Sequence, residues 1–239
     1  MSLPPPRLAL ALVAASLCAL RASAGLPWPQ PASISLGGAT LALDSRFFSF
    51  SIAGYGANSE LLQDALARYA ALLFVRAAPT AGANATTPTA ANLTSLSVDV
   101  ASSDETLGLA TSEAYTLSVP AGGGAASLAA DTVFGAMRGL ETFSQLVDYV
   151  GSAAAPFAFA VPAASVADAP RFAHRGALVD TARHFVPVPT LLAFIDAMAY
   201  TKLNVFHVSG RDFLNPASPA ALTALPPRAP TVTRAVAHC

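Results

Sequence analysis

The chain has 239 residues, enough for one or two domains, and 54% of them are hydrophobic against 11% charged. A sizeable core can therefore form, although much of the apolar content is alanine, which buries little area per residue. Thirteen lysines and arginines against fourteen aspartates and glutamates give a net charge of −1 without any basic run, which removes the electrostatic footprint of nucleic-acid binding.

The first 24 residues read as a secretory signal. Arg7 is a short basic region, Leu8 to Leu20 is an apolar run, and Ala22-Ser23-Ala24 has the small-x-small form of a cleavage site, so the mature chain is expected to begin at Gly25. The run falls short of the roughly 20 apolar residues needed to cross a bilayer, and no later segment is long and polar-free enough to do so. Two sequons, Asn84-Ala85-Thr86 and Asn92-Leu93-Thr94, flank a Thr/Ala/Pro-rich stretch and suit a glycosylated surface loop. Cys18 would leave with the signal and Cys239 is the last residue, so no disulfide is expected within the mature chain.

Over 25–165 the two periodicities alternate. Strands are predicted where Phe48, Phe50 and Ile52, then Leu96, Val98 and Val100, then Tyr115, Leu117 and Val119, then Phe157, Phe159 and Val161 alternate with small or polar residues. Between them Ser59 can cap a helix with the stripe Leu62, Leu66, Tyr69 and Leu73. Asp131 or Thr132 can cap a second, with Val133, Met137, Leu140, Val147 and Val150 on one side. Gly122-Gly123-Gly124 reads as a hairpin or flexible tip before a short strand around Leu128; it lacks the residues that would make it a phosphate cradle. The expected fold is an α+β domain. Its carboxylates (Asp44, Glu60, Asp64, Asp99, Asp104, Glu105 and Glu113) are scattered and are expected at the surface.

Over 166–208 the pattern changes to a βα unit followed by a strand, the repeat of a parallel sheet. An apolar run, Gly176 to Val179, ends in Asp180-Thr181-Ala182-Arg183-His184; a helix with the stripe Leu191, Leu192, Ile195 and Met198 follows, then a second strand from Asn204 to Val208. This is the opening of an incomplete (β/α)8 TIM barrel, whose reacting groups sit at the C-terminal strand ends. Arg183 stands there, where its planar guanidinium could hold adjacent sugar hydroxyls; the plainer alternative is a pair with Asp180 that fixes the strand end. His184 reads as a hydrogen-bonded structural residue and His207 as a satisfied core histidine, and Arg175, before the strand, as a stabilising residue on the opposite face. The histidine and cysteine spacing supports no metal site, and no nucleophile elbow occurs. From Phe213 to Cys239 the chain is Pro/Ala/Thr-rich and without period, so 209–239 is expected to be a tail lacking regular structure.

Three ordered blocks resemble one family: DTVFGAMRGLETFSQLV (Asp131 to Val147), HRGALVDTARHFVP (His174 to Pro187) and AYTKLNVFH (Ala199 to His207). They are similar to the β-N-acetylhexosaminidases of glycoside hydrolase family twenty, with weaker likeness back toward Ile34 and none after His207. The resemblance implies a small α+β domain before a catalytic barrel, hydrolysis of terminal N-acetylhexosamine from glycoconjugates or chitin oligomers, no cofactor, and an extracellular or lysosomal/vacuolar destination. It makes Arg183, in the family motif D-x-x-R-H, the residue that grips the non-reducing sugar. It also implies a substrate-assisted retaining mechanism, in which an Asp orients the substrate's acetamido group and an adjacent Glu protonates the leaving oxygen. That pair belongs to the fourth barrel strand. Beyond Glu105 this chain has no Asp-Glu pair, and after residue 165 it offers only Asp168, Asp180, Asp196 and Asp212. Asp212 falls at the ungapped position of a family acidic residue that partners the arginine, but its neighbours do not match. The chain is therefore expected to be inactive by itself; the alternative is a non-catalytic secreted module that binds or assembles with a partner.

Overall fold

The computed structural model describes residues 26–75, 92–150, 158–181, 183–209 and 235–238. Two sheets organise them. The first contains β1 (Ser33–Asp44), β2 (Ser49–Gly54), β3 (Leu93–Val100), β4 (Tyr115–Val119), β5 (Gly124–Ala130), the two-residue β6 (Asp148–Tyr149) and β7 (Ala158–Asp168), in the order β1-β7-β4-β5-β3-β2 with β6 against β7. Helices α1 (Glu60–Leu73) and α2 (Val133–Leu146) cover its apolar face. The second sheet is wholly parallel: β8 (Gly176–Asp180), then α3 (Val188–Tyr200), then β9 (Val205–Ser209), with β10 (Ala235–His238) on the far side of β9. An α+β unit followed by a partial barrel start is what the sequence led one to expect.

The alternating residues face inward as their period requires. Leu96, Val98 and Val100 of β3, Leu117 and Val119 of β4, and Phe159 and Val161 of β7 are all at most 3% exposed. Ser59 caps α1, its hydroxyl accepting from the Leu62 N–H at 3.1 Å, and the stripe Leu62, Leu66, Tyr69 and Leu73 is buried. Thr132 rather than Asp131 caps α2, accepting from the Gly135 N–H at 3.2 Å. The glycine triplet forms the β4–β5 hairpin, with Gly123 and Gly124 at φ 80° and 90°.

Six expectations are corrected. Helix α2 ends at Leu146, so Val147 only caps it and Val150, outside the helix, is 55% exposed. Glu113 is buried rather than superficial. The tail is not wholly irregular, since Ala235–His238 pairs with β9 through backbone hydrogen bonds that composition does not foretell. His184 is exposed, because the chain has left the strand before reaching it, and His207 is half-buried on an open sheet face rather than in the core. Asn92, expected in a loop, is half-buried and bridges Ala42 at the very start of β3; Asn84, Cys18, Cys239 and the proposed cleavage site lie outside the described residues.

The solvent face of the large sheet carries only small side chains along its middle. Ser51, Ser97, Ser127, Ser118, Ser165 and Ser35 stand opposite one another in turn across β2, β3, β5, β4, β7 and β1. The flanking row runs Ala53, Asp99, Ala129, Thr116, Ala167 and Ser33.

The two sheets are joined by buried charge. The turn from α3 into β9 enters the first unit: Lys202, with a left-handed φ of 55°, is 5% exposed, and its Nζ donates to Thr142 Oγ1 (2.7 Å), Tyr115 Oη (2.9 Å) and Asp168 Oδ2 (3.1 Å). Beside it the Glu113 carboxylate accepts from Arg138 Nε of α2 (3.0 Å), from Arg175 Nη2 and from Asn204 Nδ2 (3.3 Å). The Leu203 carbonyl accepts from Arg138, and the Asn204 side-chain oxygen from the Arg175 N–H. Each charge is thus held by an opposite charge and further hydrogen bonds, the condition under which burial of ions is tolerable.

Burial alone would raise the Asp168 pKa, but the Lys202 ammonium, the Ala32 N–H and the Tyr115 hydroxyl outweigh it and hold the carboxyl below the usual 3.8. A carboxyl depressed on folding stabilises at pH above its unfolded value and loses that contribution as pH falls through the lower folded one. Asp168→Asn should therefore be less stable than the parent at neutral pH, and urea unfolding below about pH 3.8 should show the gap closing. A gap that persists unchanged into strong acid would refute it.

Candidate functional site

Strand β8 has an open C-terminal end and an N-terminal end tied into the junction. Its core faces α3: Ala177 and Val179, with Phe206 and Val208 of β9, pack on Leu191, Ile195 and Met198. By alternation Gly176, Leu178 and Asp180, with His207 opposite Leu178 in register, face the other way, toward what would be the inside of a barrel. Leu192 of the expected helix stripe is only half-buried.

At the N-terminal end Arg175 belongs to the junction. Besides Glu113, its guanidinium donates to the Lys202 carbonyl (2.9 Å) and the Phe172 carbonyl (2.7 Å). Burial pulls its pKa below the usual arginine value, with Glu113 only partly restoring it. The stabilising role expected of Arg175 is what its contacts show.

The C-terminal end is open. Arg183 lies just past it, 86% exposed on its side chain, with Nε donating to Asp180 Oδ2 at 2.8 Å. The plainer sequence alternative, a pair with Asp180, is therefore formed. The pairing holds the guanidinium at the strand end by one nitrogen, while the terminal nitrogens carry the remaining donors. Phe185, two residues on, is 86% exposed, and His184 is exposed beside it. His207, half-buried and engaged with a neighbour, sits on the same face as Asp180. The residues brought together at this end are thus Asp180 and Arg183, with His207 further down the same face. Ala182 and Asp212 lie outside the described residues.

Of the remaining late carboxylates, Asp168 is committed to Lys202 and Asp196 is exposed on α3. Sequence reading missed the Glu113 and Lys202 clusters. One usable signal was Arg138, a charge within the apolar and small-residue run from Val133 to Leu140 of α2, which needs a buried anion. No helix among the described residues is long and apolar enough to cross a membrane.

Comparison with known proteins agrees with both halves. Residues 27–146, half of the chain, match the family described as "beta-acetyl hexosaminidase like", and residues 172–212 match "Glycosyl hydrolase family 20, catalytic domain". The likeness thus extends beyond the expected limits, back to residue 27 and on to residue 212. Beta-hexosaminidase 1 of Arabidopsis thaliana is 37% identical over 195 residues, covering 75% of this chain and 35% of the relative. Beta-hexosaminidase subunit beta of Felis catus is 39% identical over 210 residues, covering 83% and 37%. Among solved structures, the chitobiase of Flavobacterium johnsoniae superposes with a TM-score of 0.61 at 26% identity, over 76% of this chain and 26% of that one. The N-acetyl-beta-hexosaminidase of Streptomyces plicatus, at 23% identity and a TM-score of 0.55, shares the fold. The chain spans little more than a third of the length of these curated relatives. With an N-terminal sheet unit and a barrel start that each match their own part of one family, this chain belongs to glycoside hydrolase family 20.

Proposed function

We propose that this chain carries the sugar-gripping end of a β-N-acetylhexosaminidase site, in which Arg183 holds hydroxyls of a terminal N-acetylhexosamine of a glycoconjugate or chitin oligomer. The observation that carries this reading is the exposed guanidinium at the C-terminal end of a barrel strand, fixed by Asp180 on one nitrogen. Hydroxyls of a bound sugar can accept from the remaining donors, and the nearby carboxylate can accept a sugar O–H, so one pair reads two vicinal hydroxyls. No cofactor enters the chemistry.

The same reading makes the 239 residues insufficient for turnover. Glycoside cleavage by this family's substrate-assisted route needs an acid on the leaving oxygen and a carboxylate on the acetamido group. General-acid assistance contributes roughly 10²–10⁴-fold, and what supports the reading is that the sequence holds no Asp-Glu pair after Glu105 to supply it. Purified chain should release no product above buffer from an aryl N-acetylglucosaminide, whereas a chain carrying a whole family barrel behind the same β8 should. Arg183→Ala in that longer enzyme should lower kcat/KM by at least about 100-fold, the loss of a charged contact to a buried substrate. Turnover by the 239-residue chain, or an unaffected Arg183 variant, would defeat the proposal.

Passage through the secretory pathway is part of the proposal. The secreted product should begin at Gly25 and lose mass on deglycosylation through Asn84 or Asn92; an intact Met1 in the medium would contradict it.

A further inference from the structure

Strand β9 is built as an interior strand. Val205 and Phe206 are 7% and 4% exposed, and its sequence, VFHVS, contains no proline, lysine or bulge. Those are the devices by which exposed edges avoid pairing with other chains. On one side it pairs with β8, from Gly176↔Val205 to Asp180↔Ser209. On the other, where a repeating βα sheet would place its next parallel strand, stands β10, with Ala235↔Phe206, Val236↔His207, Ala237↔Val208 and His238↔Ser209. The direction is the informative feature. A parallel return requires a connection of roughly a dozen residues or more, and residues 210–234 exceed that length. β10 is itself suited to an edge: four residues long, two of them alanine, ending in histidine.

We propose that Ala235–His238 is an edge cap, a strand that occupies the place of the third strand of a parallel barrel sheet and shields β9 from pairing with other chains. The cap is independent of sugar binding at Arg183. It satisfies the backbone groups that β9 would otherwise present to solvent, and it leaves β8, which follows Arg175 and ends in Asp180, as the outer described strand of the small sheet on the opposite side.

The test uses the full chain, a chain ending at Ser209, and full chains carrying Val236→Pro or Ala237→Pro. Alternate residues of a strand turn their N–H groups to opposite sides, so only one of the two prolines removes a donor aimed at β9. Hydrogen exchange of the peptide spanning β9 is read beside that of β3 to β5, with light scattering over a range of concentrations. Ending the chain at Ser209 should speed exchange in β9 by about ten-fold or more while β3 to β5 stay protected, and the scattering mass should rise with concentration. One proline variant should behave like the truncation and the other like the parent. Equal β9 protection and equal scattering in all four proteins would overturn the cap. If the truncated chain loses protection throughout, the two proline variants decide by the same criterion.

Discussion

Glu113→Ala is expected to lower the unfolding free energy by about 3–5 kcal/mol, because it leaves two guanidiniums, Arg138 and Arg175, facing each other in a buried junction without their anion. The Glu113 side chain is 6% exposed and that of Arg138 is 7% exposed, so bulk solvent screens the two cations poorly once the carboxylate is gone. Arg183→Ala, which breaks a pair with an 86% exposed member just past the end of β8, should change stability by no more than about 1 kcal/mol. Urea titrations of the two variants measure the contrast. Similar losses from both would mean that the junction contributes no more than a surface pair and that the two units are not fixed to each other there.

Gly135→Ala is expected to cost about 3 kcal/mol or more, at the upper end of overpacking effects. A Cβ at Gly135 would collide with the Ala114 backbone oxygen and lie 3.2 Å from the Glu113 carbonyl carbon. Backbone cannot rotate aside as a side chain can, so α2 must lift off β4, carrying Arg138 away from Glu113. Alanine is otherwise the better helix former, by about 1 kcal/mol at an exposed site, so the sign of the result separates packing from propensity. Gly139→Ala meets the Leu128 side chain and Tyr115 Cδ2, the latter at 3.0 Å, and should be milder because Leu128 can change rotamer. A Gly135→Ala chain that melts at or above the parent temperature would show that α2 has room to move.

What could be read from the sequence followed the range of the forces involved. Period and caps act within a few residues, and Ser59, Thr132 and the alternating strands were legible for that reason. Strand β1 was not predicted at all, because Gly37 and Gly38 interrupt its alternation where the register shifts between Leu36 and Thr40. Glu113 looked like one more solvated carboxylate because its partners lie 25, 62 and 91 residues away in the chain. Charge pairing over such separations leaves no local period. Arg183 was legible by place, at the end of a strand followed by a helix, and by the motif around it; its pairing with Asp180 was one of two arrangements the spacing allowed. The strand at Ala235–His238 was hidden because two alanines and a histidine carry little β-forming signal, and the pairing partner supplies the order.

The row of six serines has a consequence for how the large sheet can be altered. Strands lie about 4.8 Å apart, so the hydroxymethyl groups form a straight line of evenly spaced points roughly 24 Å long, with nothing bulky between them. Every residue that fixes strand order points the opposite way, and a one-residue slip would submerge the serines and expose the leucines. Writing new side chains along that line therefore leaves the folding instructions untouched. The row is a ready-made ruler, on which paired labels at Ser35, Ser118 or Ser97 would sit at known strand intervals for distance measurements, and on which a new recognition surface could be composed one position at a time.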